Sequence, residues 1–131
     1  MDKIRVLIAD DHALFREGIR MILEAQPDIE IVGEAEDGQQ VIEEARRVRP
    51  DVVVMDIAMP VMDGLQATRV LREELPGVRI LALTMHEHRG YVLPMLTLGA
   101  SGYVLKRAAS TELVEAIRRV YANEAYLYPP V

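Results

Sequence analysis

No cysteine occurs in the 131 residues, which excludes a disulfide framework and any thiolate metal site. Aromatic residues make up only 5% of the chain while half of it is apolar, so the core has to be aliphatic. Positive charge is in deficit: 15 Lys and Arg stand against 21 Asp and Glu, a formal net charge of −6. Binding nucleic-acid phosphates needs clustered cations, so this chain offers no such surface of its own. Long hydrophobic runs are also missing. The first apolar stretch, Ile4 to Ala9, ends in two aspartates and is too short for a signal peptide or a membrane span, which needs about 20 apolar residues. The expectation is a soluble, cytoplasmic protein. The length fits one domain, and such a domain buries roughly two-thirds of its unfolded surface.

What the chain does contain is a regular alternation of two patterns. Apolar runs at 4–9, 52–55, 80–83 and 103–105 read as strands, and 29–35, alternating apolar and polar, as another. His12 to Gln26 carries Leu14, Phe15, Gly18, Ile19, Ile22 and Leu23 at helical spacing, and Pro27-Asp28 ends it. Asp37-Gly38 opens a second helix with Val41, Ile42, Ala45 and Val48 on one face. Asp63 is the expected N-cap of a third, bearing Leu65, Thr68, Leu71 and Leu75. Gly90 and Pro94 interrupt a fourth, whose ordered part is expected to begin close to Pro94, where proline is tolerated. Ser110 is the expected cap of a last helix bearing Leu113, Ile117, Val120 and Tyr121, and Tyr126 to Val131 reads as the start of a linker. Strict alternation of strand and helix implies a parallel α/β sheet, a (βα)₅ unit with helices on both faces.

A parallel open sheet gathers its carboxyl ends along one edge, where ligands bind. Asp10-Asp11, Asp56, Thr84 and Lys106 each stand at or just past the end of a strand-like run. Alone, each has an ordinary structural reading: helix cap, turn residue, strand residue, solvated charge. Together they put three carboxylates, a hydroxyl and an ammonium in one pocket. Two carboxylates about 4 Å apart repel by about 4 kcal/mol at an effective dielectric near 20, so the site must protonate, stay wet or bind a cation. Mg²⁺ fits oxygen ligands, few carboxylates and an incoming phosphate. A carboxylate can attack phosphorus to give an aspartyl phosphate, in a reaction governed by positioning and charge stabilisation. Asp56 is the expected nucleophile because it alone follows the central buried run, and Asp10-Asp11 is better placed to hold metal. His12 is expected to be local to its loop. His86 and His88 read as a solvated loop, with metal ligation the alternative.

Leu7-Ile8-Ala9-Asp10-Asp11-His12, the run Met55-Asp56-Ile57-Ala58-Met59-Pro60-Val61-Met62-Asp63-Gly64 and Gly99 to Lys106 resemble the receiver domain of two-component response regulators, in particular its NarL/FixJ-type subfamily. The similarity spans essentially the whole chain. It implies a flavodoxin-like sheet of strand order 2-1-3-4-5 and phosphoryl transfer from a partner histidine kinase to Asp56. It implies Mg²⁺ bound by Asp11, Asp56 and the Ala58 carbonyl, with Asp10 acting through water. Thr84 and Lys106 would contact the phosphoryl oxygens, and Tyr103 would reorient as Thr84 is drawn in. The switched surface would be the fourth helix, fifth strand and fifth helix, with homodimerisation on that surface or on the first and fifth helices. The resemblance makes residues 1–124 the receiver and 125–131 the start of a linker to a LuxR-type helix-turn-helix domain, through which alone DNA would be bound. Three positions depart from the pattern. Met85 follows Thr84 where many receivers carry a small residue, Arg107 follows Lys106 where many carry proline, and Pro94 lies in the helix expected to switch.

Other readings compete. A phosphatase of the haloacid-dehalogenase type needs a second Asp two residues after the nucleophile, where this chain has Ala58. A flavin carrier needs a Ser/Thr/Gly-rich loop after the first strand, where Asp10-Asp11-His12 would repel phosphate. A receiver-like module that is never phosphorylated is the third. The expectation is a non-enzymatic switch whose only chemistry is its own phosphorylation and slow autodephosphorylation.

Overall fold

Val52–Asp56 (β3) is buried along its whole length, as the apolar run that fills all but its last position demands of a strand covered on both faces. The structure is a computed structural model and describes residues 2–85 and 89–130. In chain order the elements are β1 (Ile4–Ala9), α1 (Ala13–Glu24), β2 (Ile29–Ala35), α2 (Gly38–Val48), β3, α3 (Gly64–Glu74), β4 (Arg79–Thr84), α4 (Arg89–Thr97), β5 (Gly102–Leu105), a 3₁₀ turn (Lys106–Ala108), α5 (Ala109–Tyr121) and β6 (Tyr126–Tyr128). All strand pairs are parallel, in the order β2-β1-β3-β4-β5-β6. The expected order therefore holds for five strands, and a sixth adds to the edge at β5.

Alternate side chains of each strand point to opposite faces, and two aliphatic layers result. Leu7, Val53, Met55, Ile80 and Ala82 pack with α2, α3 and α4. Val6, Ile8, Val54, Leu81, Leu83 and Val104 pack with α1 and α5. Asp37 caps α2 by accepting from the Gln40 amide, and Asp63 with Gln66 forms a reciprocal capping box on α3.

Three local expectations are corrected. The helix α4 starts at Arg89 and carries Pro94 in its interior. A mid-helix proline costs about 3 kcal/mol. Full burial of Val92 and Met95, at about 1.5–3 kcal/mol per side chain, outweighs that cost. Ser110 is not a cap: α5 follows directly from the 3₁₀ turn, its first residue is Ala109 and its N-cap position is Ala108. Leu14 is 82% exposed, because at about 100° per residue it lies about 140° round the helix from Ile19. Within the tail, Tyr126–Tyr128 add β6, whose Tyr126 hydroxyl donates to the Glu112 carboxylate, an interaction that pushes the tyrosine pKa up to about 12.

Candidate functional site

Asp10 follows β1, Asp56 ends β3, Thr84 ends β4 and Lys106 follows β5, so parallel topology alone brings them to one rim. Ligand atoms of Asp10, Asp11, His12 and Asp56 all lie within 4.8 Å of one another. The Lys106 ammonium is 2.7 Å from Asp10 Oδ2 and 2.8 Å from Asp56 Oδ2. The three side chains of that bridge are almost fully buried, and the Lys106 ammonium also sits 4.7 Å over the Phe15 ring. Three carboxylates and one ammonium leave a local excess of negative charge, which a divalent cation would offset.

Burial pushes the Asp56 carboxyl above its ordinary range and the neighbouring Asp10 charge adds to this, while Lys106 pulls it back. Burial opposes the Lys106 charge too, but the carboxylates of Asp10 and Asp56 more than compensate and its pKa is raised. A raised carboxyl pKa means that ionising Asp56 works against folding. Its favourable contribution is complete below the ordinary carboxylate pKa and is lost as pH rises through the raised one. Burial thus disfavours the Asp56 carboxylate while Lys106 favours it, the opposition of terms that a reactive site commonly shows.

The loop after β3 fixes Asp56. The Ala58 amide donates to Asp56 Oδ1 at 3.2 Å, and the Gly64 amide donates to the Ile57 carbonyl at 2.7 Å. A Cβ at position 64 would stand 2.6 Å from the Asp56 carbonyl oxygen, so only glycine lets α3 begin this close to the strand end. Val61 has φ +67° in a turn closed by the Met62 amide on the Pro60 carbonyl at 2.7 Å. Such a γ-turn is strained, by about 1–3 kcal/mol.

His12, Asp56, Ile57, Ala58, Thr84, Met85 and Lys106 line a cavity of about 190 Å³. Thr84 is buried in its wall, whereas Met85 is 68% exposed at its mouth. A larger groove of about 530 Å³ between α1 and α5, built on Leu14, Phe15, Ile19 and Ile22, shares His12 and Lys106 with it but contains no carboxylate. Tyr103 does not line the smaller cavity. It is 3% exposed, packed in the α2–α3–α4 layer, and its hydroxyl donates to the Pro129 carbonyl. His86 and His88 lie outside the described residues.

His12 is local to its loop, as expected: its Nδ1 is 3.1 Å from Asp10 Oδ1 and 3.3 Å from Asp11 Oδ1. Sequence reasoning missed one neighbour. Phe15 was read only as a helix-face residue. Its contact with Lys106 crosses between elements far apart in sequence, and no local pattern encodes that.

This arrangement has counterparts among known proteins. The family described as "Response regulator receiver domain" matches residues 6–118. The transcriptional regulatory protein DegU of Brevibacillus brevis is 43% identical over 130 residues, covering 99% of this chain and 55% of the relative. The response regulator GacA of Pseudomonas viridiflava is 41% identical over 128 residues, covering 98% of this chain and 60% of the relative. This chain thus spans little more than half the length of these curated relatives. Among solved structures, a LuxR-family two-component response regulator from Aurantimonas sp. SI85-9A1 superposes with a TM-score of 0.93 at 38% identity, covering 98% of this chain and 91% of that one. The isolated receiver domain of RcsB from Salmonella enterica serovar Typhimurium, determined with a fluoroberyllate phosphomimetic, gives 0.88 at 29% identity, covering 96% of this chain and 94% of that one.

Proposed function

This chain belongs to the response regulator receiver domain family, and from that premise we propose that Asp56 accepts a phosphoryl group from the phosphohistidine of a sensor histidine kinase. The observation that carries this reading is the Lys106 ammonium held between the Asp10 and Asp56 carboxylates at one strand-end rim. In the reaction an Asp56 carboxylate oxygen attacks phosphorus in line with the donor nitrogen. The P–O bond forms as the P–N bond breaks, and the imidazole keeps the electron pair and takes up a proton. Lys106 then exchanges its contact with the Asp56 oxygen for one with a phosphoryl oxygen, and the Thr84 hydroxyl donates to another. The ammonium and the hydroxyl are fixed in place before the reaction, which is what makes such donors stabilise developing charge.

Mg²⁺ fits the donor set of hard carboxylate oxygens clustered within 4.8 Å. Asp11, Asp56 and the Ala58 carbonyl would hold it, with Asp10 acting through water; when bound, it supplies neutralisation of the phosphoryl charge. Met85, at the mouth of the cavity, sets how easily the acyl phosphate is reached by water, and so bears on slow autodephosphorylation. The output is a change at α4, β5 and α5 that promotes homodimerisation. Residues 1–124 form the switch and 125–131 lead toward an output domain of helix-turn-helix type that would contact DNA. Support for that extension comes from the relatives, which are nearly twice as long and include a transcriptional regulator, and from RcsB, whose structure is described in terms of DNA interaction. No described helix is long and apolar enough to cross a membrane, in keeping with a cytoplasmic site of action.

Incubation with acetyl phosphate and Mg²⁺ is expected to add one phosphoryl group per chain, read by intact mass. Chelation, or Asp11→Ala, should slow the labelling at least about tenfold, the usual scale for loss of a metal contact. Equal rates with and without chelator would remove the metal from the account.

A further inference from the structure

Arg16 ties the first helix to the tip of β1. Its side chain is 13% exposed, and each guanidinium nitrogen has an acceptor. Nη1 donates to the Asp10 carbonyl at 2.6 Å, Nε to Glu34 Oε1 at 3.2 Å and Nη2 to Glu36 Oε1 at 3.5 Å. The other Glu34 oxygen pairs with Arg20, one turn further along α1. One planar cation thus joins α1, the end of β2 and the strand end that carries the acidic pair.

The Asp10 carbonyl belongs to the peptide that leads into Asp11. The Asp10 amide is fixed by the Ala35 carbonyl at 3.0 Å, and its carboxylate by the His12 amide at 2.8 Å and by Lys106. Asp11 is held less closely: its side chain is 32% exposed, with His12 Nδ1 3.3 Å away. The backbone therefore sets where the Asp11 carboxylate stands, and the Asp10–Asp11 peptide cannot rotate without breaking its bond to Arg16. Arg16 and Arg20 face Glu34 and Glu36, so the cluster carries no net charge to lend to the pocket. What it supplies is orientation, through a hydrogen bond from an ionised donor, the stronger kind. Resting on the reading that Asp11 helps to hold Mg²⁺, and deepening it, we propose that Arg16 is a positioning residue of the metal site: it fixes the Asp10–Asp11 peptide so that Asp11 is presented to the cation. Groups that orient a metal ligand in this way typically account for about 10–100-fold in metal affinity.

Calorimetry on the full chain measures Mg²⁺ affinity, and acetyl phosphate labelling is followed against Mg²⁺ concentration. Arg16→Met is expected to weaken Mg²⁺ binding about tenfold. The half-saturating Mg²⁺ for labelling should rise in step, while the rate at saturating Mg²⁺ stays within about threefold of wild type, because what is lost is binding of the ion and not the chemistry at Asp56. Arg16→Lys keeps the charge but loses the fork that spans three acceptors, and should bind Mg²⁺ nearly as weakly. Arg20→Met removes the same charge one turn away and leaves the bond to Asp10, so its affinity should change by less than about twofold. An effect of charge alone has the opposite signature: removing a cation near three carboxylates would tighten Mg²⁺ binding, and Arg16→Lys would match wild type. Either result overturns the proposal, as does a saturated rate that falls together with the urea midpoint, the mark of a merely structural contact. If Arg16→Met does not fold, Arg16→Lys decides alone. Absence of Mg²⁺ binding in the wild-type chain would instead overturn the metal reading, and the proposal with it.

Discussion

Lys106→Met lowers the rate of Asp56 phosphorylation by acetyl phosphate about 10²–10³-fold, the loss typical of removing one preorganised charged donor from a reaction centre. The Lys106 side chain is 8% exposed and its ammonium lies within 2.8 Å of both Asp10 and Asp56, so its charge acts at short range. Its removal also leaves two buried carboxylates facing each other, and breaking a buried pair costs about 3–5 kcal/mol. Chemistry and folding therefore have to be separated. Lys106→Arg keeps the charge, and with it most of the stability, but a planar guanidinium cannot reproduce a point charge seated between two carboxylates. Its phosphorylation rate should still fall by about tenfold or more, in a protein whose urea midpoint is close to wild type. Rates are read by quenched intact-mass time courses at saturating Mg²⁺. A Met variant within threefold of wild type would show that Lys106 is only a structural counter-ion.

Gly64→Val destabilises the domain by about 3 kcal/mol, the upper end of the range typical of overpacking, because the clash is with backbone. The new Cβ would meet the Asp56 carbonyl oxygen at 2.6 Å and the Ile57 Cα at 2.9 Å, and neither can rotate away as a side-chain end can. Relief requires the β3–α3 loop to lift, which moves Asp56 and drops Mg²⁺ affinity together with stability. Gly77→Ala is the matched control: nothing lies within 4 Å of the added methyl, and its effect should stay within about 0.5 kcal/mol. Urea unfolding gives the stabilities and calorimetry the Mg²⁺ affinities. A Gly64→Val protein with a wild-type midpoint would contradict the packing described here.

The site was legible in the sequence because parallel strands convert distance along the chain into proximity at one edge. The strand-end positions of Asp10, Asp56, Thr84 and Lys106 were enough to place them together. The strands themselves were legible because Pro-Asp, Pro-Gly and Gly-Ala-Ser-Gly punctuate the apolar runs. What was not legible depended on tertiary packing. Pro94 broke the local helix signal, and only burial of Val92 and Met95 overrides it. Ser110 matched the chemistry of a cap, but the 3₁₀ turn ahead of it carries the chain straight into α5. Residues 126–128 are too few to show a strand period and precede two prolines, and their partner, the free edge of β5, exists only in the folded sheet. The Tyr103 contact with Pro129 was invisible for the same reason.

The central claim is that side chains from separate strand ends act as one site with Asp56 as its acceptor. Peptide mapping of the wild-type chain and Asp56→Asn after acetyl phosphate and Mg²⁺ treatment tests it most directly. The account predicts a single labile phosphoryl group on the peptide containing Asp56 in the wild type, and none anywhere in the variant. Undiminished labelling of Asp56→Asn, or a label on another carboxylate in the wild type, would contradict it.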